Sequence, residues 1–237
     1  MNILLTGGSS HTGYWIAKSL KEAGHNVVAT LRGHRDSYTG IRGKRVQLLD
    51  EYARIIWRCS FGSDRFLRVL AEENCEILAH HAATTENYRS SEFDLTNALE
   101  NNTYRLQEVL QHFCERGGQA VVLTGSVFEP NEGCGSGYPN LRAFSPYGLS
   151  KGLTYEVFKY WADTINVPLG KFVIPNPFGP YEEEKFTDYL LNKWSAGQTA
   201  AINTPGYVRD NIHVDLLSKA YVKFVDLICE KVGRFVM

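Results

Sequence analysis

A tyrosine and a lysine lie four residues apart in the stretch SPYGLSK, which spans residues 145–151. Ser145 can cap a helix that begins at Pro146. Tyr147 and Lys151 would then be neighbours on one face of that helix. A phenol titrates at about pH 10 and is a poor acid–base catalyst at neutral pH. Because a nearby ammonium stabilises the phenolate, the pair predicts acid–base catalysis by Tyr147, with Lys151 lowering its pKa.

Two hydroxyl groups precede this helix, in the stretch VVLTGS at residues 121–126. A strand here would deliver Thr124 and Ser126 at its carboxyl end, where a hydroxyl can hydrogen-bond a substrate oxygen beside Tyr147 and polarise it. The alternative is a Thr-Gly-Ser turn with no part in a reaction.

The opening segment has the pattern of a phosphate-binding turn. The apolar run Ile3–Leu5 is followed by Gly7 and Gly13 and then by a segment of helical period. Such glycines let the backbone approach a pyrophosphate, whose charge the helix N-terminus favours. Ser10 stands where a dinucleotide fingerprint has its middle glycine, so an ordinary glycine-rich turn remains the alternative.

Two arginines, Arg32 and Arg35, follow the second predicted strand. Proteins that hold NAD usually place an acidic residue there for the ribose 2′-hydroxyl, whereas a guanidinium suits a 2′-phosphate. A charge-assisted pair of this kind contributes roughly 1.5–3 kcal/mol. The pattern favours NADP over NAD, and a solvated basic loop is the alternative.

Apolar runs alternate with helix-period segments along most of the chain. The predicted strands are Ile3–Leu5, Val27–Leu31, Arg54–Cys59, Glu76–His80, Ala120–Leu123 and Lys171–Ile174, and the predicted helices are Tyr14–Ala23, Phe66–Glu73, Leu95–Arg116 and Tyr147–Thr164. This alternation predicts an α/β fold, a Rossmann-type doubly wound parallel sheet whose ligands bind beyond the carboxyl ends of the strands. After Pro175 the pattern changes to a loop and two helices. We therefore expect a dinucleotide-binding domain over residues 1–175 and a short substrate-binding lobe over 176–237, partly packed on it.

Composition and charge disfavour several kinds of partner. The chain has 237 residues, 43% of them hydrophobic, and a formal charge of −1, so no field attracts nucleic acid or an anionic membrane. No apolar stretch approaches the roughly 20 residues that a bilayer needs. The N-terminus runs straight into a strand without a basic region or a cleavage site, which predicts a cytoplasmic protein.

Five cysteines are present and none has C-x-x-C spacing. This favours reduced core thiols over a zinc site or a disulfide framework. The cysteines are Cys59, Cys75, Cys114, Cys134 and Cys229, and we expect no metal.

Together these motifs resemble the extended short-chain dehydrogenase/reductase family of NAD(P)-dependent nucleotide-sugar epimerases, dehydratases and reductases. The resemblance extends from Asn2 to about Val225. The opening segment is similar to T-G-x-x-G-x-x-G with Ser10 in place of the middle glycine. Further segments that resemble family motifs, in order, are ILAHHAA, TGSVFEP, YGLSK, NPFGP and RDNIHVDLLSKAY.

The resemblance implies roles for particular residues. It places the catalytic hydroxyl at Thr124, with Ser126 as the second choice, beside Tyr147 and Lys151. Substrate contacts are implied at Thr84, Thr85, Ser126, Asn176 and Arg209, the last two near the substrate's phosphates. Cofactor contacts are implied at Gly7, Ser9, Ser10, His11, Thr12, Gly13, Arg32, Arg35, Ser60, Phe61, His81, Ala82, Ala83, Tyr147, Lys151, Pro175 and Phe178.

The implied reaction is hydride transfer at a secondary carbon of a nucleotide-activated sugar, in either keto-sugar reduction or epimerisation. Gly125 and Ser126 stand where dehydratases carry an Asp-Glu pair, which disfavours 4,6-dehydration. The alternatives are a cofactor-binding regulatory protein without turnover and a reductase of a small non-sugar carbonyl. The resemblance also implies a homodimer through the two long helices.

Several other residues have simpler interpretations. His80 and His81 are expected to be a packed or hydrogen-bonded pair rather than catalytic groups. His213 is expected to stabilise a turn. Tyr181, after the Gly-Pro, is a candidate for a second acid–base group, although a structural role is favoured.

Overall fold

The computed structural model describes residues 1–132, 142–203, 205–206 and 210–234, with side chains up to residue 230. In this part of the chain six parallel strands form one sheet in the order β3-β2-β1-β4-β5-β6. The strands are β1 Asn2–Thr6, β2 Asn26–Thr30, β3 Arg54–Ile56, β4 Ile77–His80, β5 Ala120–Ser126 and β6 Leu169–Ile174. The predicted Rossmann-type α/β fold is confirmed.

Eight α-helices connect or follow these strands within the described residues. They are α1 His11–Glu22, α2 Gly40–Leu49, α3 Asp64–Glu73, α4 Leu95–Thr103, α5 Leu106–Glu115, α6 Pro146–Ile165, α7 Phe186–Ser195 and α8 Val214–Arg234. A short 3₁₀ helix, Arg35–Ser37, follows β2, and a two-stranded parallel sheet pairs β7 Asn176–Phe178 with β8 Asn211–His213.

The side chains of each central strand alternate between two cores. Val122 on β5 belongs to the cluster that α1 and α8 cover. Val121 and Leu123 belong to the cluster that α3, α5 and α6 cover. A residue's position in β5 therefore decides which helices its side chain meets.

The chain order reverses beside β1, since β2 lies on one side of it and β4 on the other. Register pairs Thr6 with both Thr30 and His80, so the loops after these three strands emerge at one edge. This is the switch point at which doubly wound sheets bind ligands. It brings together the glycine segment, the arginines after β2 and the residues after β4.

The predicted helix Leu95–Arg116 is wrong as a single element, because the structure divides it at Tyr104 and Arg105. Arg105 has φ +51°, and its guanidinium donates to both Asp64 and Glu108. The Tyr104 carbonyl leaves the helix and approaches Gly62 so closely that a Cβ at that glycine would collide with it. Asp64 and Gly62 belong to another part of the chain, and the sequence at the break contains neither glycine nor proline.

The segment after Pro175 contains the two predicted helices, which contact the rest of the chain differently. In α8, Tyr221 and Val225 are fully buried in the same core as α1, and Ser218 accepts from Ser19 at 2.8 Å. By contrast, α7 has no buried residue. The boundary at residue 175 stays a prediction, and α8 packs on the sheet beside α1.

Two observations concern the predicted partners. No helix in the described ranges is long and apolar enough to cross a membrane. Among the same residues, no three His, Cys, Asp or Glu side chains come close enough to hold a metal ion.

The cysteines that the structure describes are free thiols. Cys59 and Cys75 are buried, and Cys114 and Cys229 are half-buried, while Cys134 lies outside the described residues. Burial raises the pKa of the Cys59 thiol to about 11 and that of Cys75 to about 12, so both are protonated at neutral pH.

Candidate active site

Helix α6 begins as its sequence predicts and carries the tyrosine and the lysine near its start. Ser145 caps it by accepting from the Gly148 amide at 3.2 Å, and Pro146 is its first residue. Lys151 is buried, with 4% of its surface exposed, whereas Tyr147 is half-buried. Burial lowers the pKa of Lys151 to about 8, with Glu129 raising it and Lys171 lowering it further.

The Tyr147 ring lies among aromatic side chains. Its centroid is 5.6 Å from that of Tyr88, 5.8 Å from Phe93 and 6.5 Å from Phe128, all in edge-to-face contact. Burial raises the pKa of Tyr147, and the Glu129 carboxylate raises it next. In the protein alone this is opposite to the lowering by Lys151 that the sequence predicts, because desolvation and a carboxylate both oppose the phenolate.

Thr124 lies in a buried network on the other face of the sheet from α6. Its hydroxyl is 3.0 Å from His81 Nδ1, and it is only 2% exposed. Thr124 and Val122 are two residues apart on β5, so the Thr124 side chain points to the same face of the sheet, which α1 and α8 cover. The hydroxyl of Tyr221 on α8 lies beside the Thr124 hydroxyl. Among the described residues no hydrogen bond joins Thr124 to Tyr147.

His81 connects this hydroxyl to the start of α1. Its Nε2 lies 2.9 Å from Thr12 Oγ1 and 3.1 Å from Ser10 Oγ. Because Ser10 Oγ donates to Gly7 O, it accepts from His81 Nε2. His81 Nδ1 is then the acceptor of the Thr124 proton.

Both histidines are buried neutral side chains. Burial, followed by the charge of Lys151, lowers the pKa of His81 to about 3. His80 lies 3.1 Å from Thr6 Oγ1 and stacks on Phe158 at 5.1 Å between ring centroids. The packed, hydrogen-bonded interpretation of His80 and His81 agrees with this geometry.

Ser126 and Glu129 form a turn at the end of β5. The Ser126 amide donates to Glu129 Oε1 at 2.7 Å, and Ser126 Oγ accepts from the Phe128 amide at 3.2 Å. Glu129 is 2% exposed. Sequence reasoning did not select this residue, although it is the one charged residue in the segment TGSVFEP, and that was a usable signal.

The glycine segment forms a close turn between β1 and α1. Gly7 has φ +77°, and a Cβ there would lie 2.8 Å from the Ala82 amide nitrogen. Ser10 caps α1, with its hydroxyl accepting from the Gly13 amide at 3.0 Å. The serine at the middle fingerprint position therefore acts as a helix cap, and the first-turn amides of His11 and Thr12 have no acceptor within the helix.

Cationic side chains lie after β2 and on α2. Arg32 and Arg35 are exposed. Arg42 on α2 donates to Ser9 Oγ at 2.7 Å from one nitrogen and at 3.1 Å from another, and its guanidinium lies 5.3 Å above the Tyr38 ring. Arg42 was missed because only tertiary packing brings α2 to this loop.

A buried arginine links the loop after β1 to the segment after β7. Arg45, 1% exposed, donates to Ser9 O at 3.1 Å and to Tyr181 O at 2.7 Å, and it pairs with Glu183. His11 Nε2 lies 3.1 Å from Pro180 O in the same region. The Tyr181 ring packs edge-on against an α1 tyrosine, on the sheet face opposite α6.

The residues after β4 line the same edge of the sheet. Ala82, Ala83 and Thr84 are half-buried and Thr85 is exposed. The Thr84 amide donates to the buried Asn102 at 2.9 Å. The Thr84 hydroxyl is buried and has no hydrogen-bond partner in the described part of the chain.

The other predicted site residues are spread along this edge. Ser60 is exposed, and Phe61 is buried with its centroid 4.2 Å from that of His80. Pro175 and Phe178 are half-buried, and the Asn176 amide donates to Asp210 O at 3.0 Å. Arg209 lies outside the described residues.

These groups fit a dinucleotide. The turn at Gly7 has no space for a Cβ, the amides of α1 begin beside it, and the Thr84 hydroxyl is buried without a partner. A helix start of this kind binds a pyrophosphate. The arginines nearby suit further negative charge.

The parallel sheet, its switch point and its glycine turn define a Rossmann-type dinucleotide-binding class. The model of the NAD dependent epimerase/dehydratase family matches residues 3–233, so the chain belongs to this family of NAD-dependent enzymes. The family that the motifs suggested is confirmed. No curated protein matches the sequence.

Solved structures of similar fold are sugar-nucleotide enzymes. One is the UDP-glucose 4-epimerase of Thermotoga maritima with UDP-glucose, at 21% identity and a TM-score of 0.72, covering 93% of this chain and 72% of that one. Another is the UDP-glucuronic acid 4-epimerase of Bacillus cereus with UDP-glucuronic acid and NAD, at 17% identity and a TM-score of 0.72, covering 95% of this chain and 73% of that one. A third is the dTDP-glucose 4,6-dehydratase of Bacillus anthracis with NAD, at 17% identity and a TM-score of 0.72, covering 98% of this chain and 72% of that one. At identities of 17–21%, the similarity to these structures establishes the fold alone.

Proposed function

We propose that the chain is an NAD(P)-dependent oxidoreductase or epimerase that acts on a nucleotide-activated sugar by hydride transfer at a secondary carbon. The observation that carries this proposal is the Tyr147–Lys151 pair at the start of α6, in a chain whose switch point has a glycine turn suited to a pyrophosphate. Membership of the family supports it. The nucleotide sugars and NAD in the similar structures support the same substrate class.

The chain's residues would divide the work as follows. The nicotinamide, when bound, supplies or accepts the hydride. Tyr147 moves the proton of the reacting oxygen, and Lys151 binds the nicotinamide ribose and holds a positive charge beside the reaction. Thr124 donates to His81, so its lone pairs would accept from a substrate hydroxyl, whereas Ser126, whose Oγ accepts from the Phe128 amide, keeps its own proton to donate to a substrate oxygen.

The substrate's diphosphate would lie near the paired strands β7 and β8. Asn176 is at the start of β7, and the proposed phosphate contact of Arg209 remains a prediction from the motif. The Thr84 hydroxyl has an unused hydrogen bond, which suits a substrate or ribose hydroxyl.

NADP is the cofactor that the residues after β2 favour. Arg32 and Arg35 follow this strand, and Arg42 extends the positive surface beside Ser9. The segment from Leu31 to Arg35 contains no carboxylate that would repel a 2′-phosphate. NAD remains the alternative, and the similar structures bind NAD.

The direct test is turnover. The purified protein is mixed with NADPH or NADP⁺ and a panel of UDP- and dTDP-linked sugars and 4-keto-sugars, and reduced cofactor is followed by absorbance. Tyr147→Phe should lower turnover by several orders of magnitude while leaving the Kd for NADPH nearly unchanged. Normal turnover by this variant would show that the role given to Tyr147 is wrong.

A cofactor-binding protein without turnover is the second candidate. The buried hydrogen bond that joins Thr124 to His81 favours it. Tight NADPH binding with no turnover across the panel would support this candidate. A reductase of small carbonyls is distinguished by Arg209→Ala, which should weaken only a substrate that carries phosphates.

We also propose that two copies pair through α6 and the helices beside it. Leu149, Leu153 and Tyr160 on α6 and Tyr104 between α4 and α5 are exposed apolar side chains. Sedimentation equilibrium would reveal a dimer, and Leu153→Glu should dissociate it. The cytoplasmic location stays a prediction.

A further inference from the structure

Glu129 is a buried carboxylate with one cationic partner on the neighbouring strand. Its Oε2 lies 3.3 Å from Lys171 Nζ on β6, while Oε1 accepts from the Ser126 amide at 2.7 Å. Lys171 is shared, because its Nζ also lies 2.6 Å from Glu132 and 4.4 Å from the centroid of Tyr155. Glu129 therefore has only part of one ammonium as its paired countercharge, which is unfavourable for so buried a group.

The turn that holds Glu129 packs directly on α6. A Cβ at Gly148 would collide with the Phe128 carbonyl, and one at Gly152 would lie 2.8 Å from Pro130 Cδ and 4.0 Å from Glu129 Cβ. These two glycines directly follow Tyr147 and Lys151 in the sequence. The turn that carries Glu129 therefore packs against the part of α6 that carries both members of the pair.

The charged and titratable groups around the pair are few. Lys151 is acted on by Glu129 and Lys171, and it faces His80 and His81, whose burial keeps both rings neutral. The groups that act on Tyr147 are Glu129 and Tyr88. Within the described residues, Glu129 is thus the one carboxylate that acts on both Tyr147 and Lys151.

We propose that Glu129 is a positioning residue that keeps Lys151 as an ammonium and Tyr147 as a neutral phenol, so that the pair meets its substrate ready to give a proton to a carbonyl oxygen. The inference rests on the proposed function and is tested on the reduction of a keto-sugar. In that step the Tyr147 O–H bond would break, its proton going to the carbonyl oxygen and leaving a phenolate. A bound NADPH would supply the hydride to the carbonyl carbon and become NADP⁺.

The electrostatic directions agree with this role. Burial lowers the pKa of Lys151 to about 8, and Glu129 opposes that change, so loss of the carboxylate would lower the pKa of the lysine further towards neutral pH. The pKa of Tyr147 is raised by burial and then by Glu129.

The ionisation of Lys151 tests the proposal without any substrate. ¹³C NMR of labelled lysine is recorded between about pH 6 and pH 10, with the resonance assigned by Lys151→Met. Glu129→Gln should lower the pKa of Lys151 by about one unit or more, and Glu129→Asp should restore part of the shift. Lys171→Met should raise that pKa instead, because it removes a repelling charge. An unchanged Lys151 titration in Glu129→Gln would overturn the proposal.

Glu132→Gln is the matched control. It removes a carboxylate from the same lysine, but Glu132 is not among the groups that act on Tyr147 or Lys151, so the Lys151 titration should stay in place. If Glu129→Gln does not fold, Glu129→Asp decides the question, and a Lys151 pKa unchanged from the wild type in that variant would count against the proposal.

The pH profile of reduction tests the consequence for the pair. With dTDP-4-keto-6-deoxyglucose and NADPH, kcat/KM should fall at high pH as Lys151 loses its proton, because its pKa is the lower of the two. Glu129→Gln should move this descending limb to lower pH by about one unit or more. An unmoved limb would overturn the role of Glu129 in the reaction. If no sugar in the panel is turned over, the proposed function fails, while the Lys151 titration still decides the role of Glu129.

Discussion

At the scale of single residues, the cofactor preference depends on guanidinium groups from two parts of the chain. Arg32 follows β2, whereas Arg42 comes from α2 and is held over Tyr38 with its nitrogens on Ser9. A held guanidinium loses less freedom when it binds a phosphate than a solvated one does. Arg42 is therefore expected to contribute at least as much to the binding of a 2′-phosphate as Arg32.

We predict that Arg32→Ala and Arg42→Ala each raise the Kd for NADPH by about 10- to 150-fold, the loss of one charge-assisted pair. The Kd for NADH should change little, because it has no 2′-phosphate. Fluorescence titration measures both constants. Arg68→Ala, an exposed arginine on α3, is the control, and equal losses for the two cofactors would contradict the assignment.

The arrangement of individual site residues could be predicted from the sequence where it depends only on residues close together in the chain. Tyr147, Lys151 and the Ser145 cap lie in one helix, so spacing alone predicts their arrangement. Glu129 and Arg42 act through groups far away in the chain, and no local pattern indicates such partners. The direction of the Tyr147 pKa shift was wrong for the same reason, since burial and Glu129 come from the fold.

At the scale of elements, the start of α1 depends on Ser10. The Ser10 hydroxyl caps the helix and also contacts His81, so one side chain fixes both the helix and the end of β4. The sequence suggested a departure from the fingerprint. The structure shows that the Ser10 hydroxyl accepts a hydrogen bond from the Gly13 amide, which a glycine at this position could not do.

We predict that Ser10→Ala lowers the free energy of unfolding by about 0.5–2 kcal/mol, while Ser10→Gly lowers it by only a few tenths. Alanine removes the cap and is a poor residue at this position, whereas glycine is tolerated there. Urea denaturation of the two variants measures the difference. Equal losses for the two variants would show that the contact with His81, which both remove, outweighs the cap.

The division between α4 and α5 makes a second prediction at this scale. Gly62 and Gly117 both have positive φ, but a Cβ at Gly62 would collide with the Tyr104 carbonyl, while a Cβ at Gly117 would meet nothing within 4 Å. Gly62→Ala should therefore destabilise the protein by about 1–3 kcal/mol more than Gly117→Ala. Equal losses in urea denaturation would mean that the break in the helix adapts.

The strands and most helices were predictable from the pattern of apolar residues. Buried parallel strands are continuous apolar runs, and in the helices between them the apolar residues recur about every 3.6 positions. The break at Arg105 was not, since its guanidinium is held by Asp64 from α3 as well as by Glu108. A helix that ends on partners from elsewhere leaves no stop residue in its own sequence.

At the scale of the whole molecule, buried neutral histidines link stability to pH. Burial lowers the pKa of His11 to about 4 and those of His80 and His81 to about 3. In the unfolded chain a histidine titrates at about pH 6.5. As the pH falls below that value, the unfolded chain takes up protons that the folded protein does not, so stability is lost on acidification.

We predict that the free energy of unfolding falls by up to about 1.4 kcal/mol per pH unit for each of these three histidines as the pH drops from about 6.5 to 5. This pH range lies above the pH of about 4 at which carboxylates titrate, so the histidines determine the slope. Urea denaturation at several pH values gives the slope, and His81→Gln should reduce it by about a third. A flat profile over this window would contradict the assigned protonation states.

Arg45 ties the fingerprint loop to a part of the chain that is synthesised much later. Its buried guanidinium is satisfied only when Tyr181 and Glu183 are in place. A nascent chain that has emerged as far as residue 175 contains every glycine of the turn, yet leaves this cation without its carboxylate. Capture of a dinucleotide during translation would therefore wait for the downstream segment, and proteolysis after β6 would weaken the binding of the ligand although the whole glycine turn remained intact.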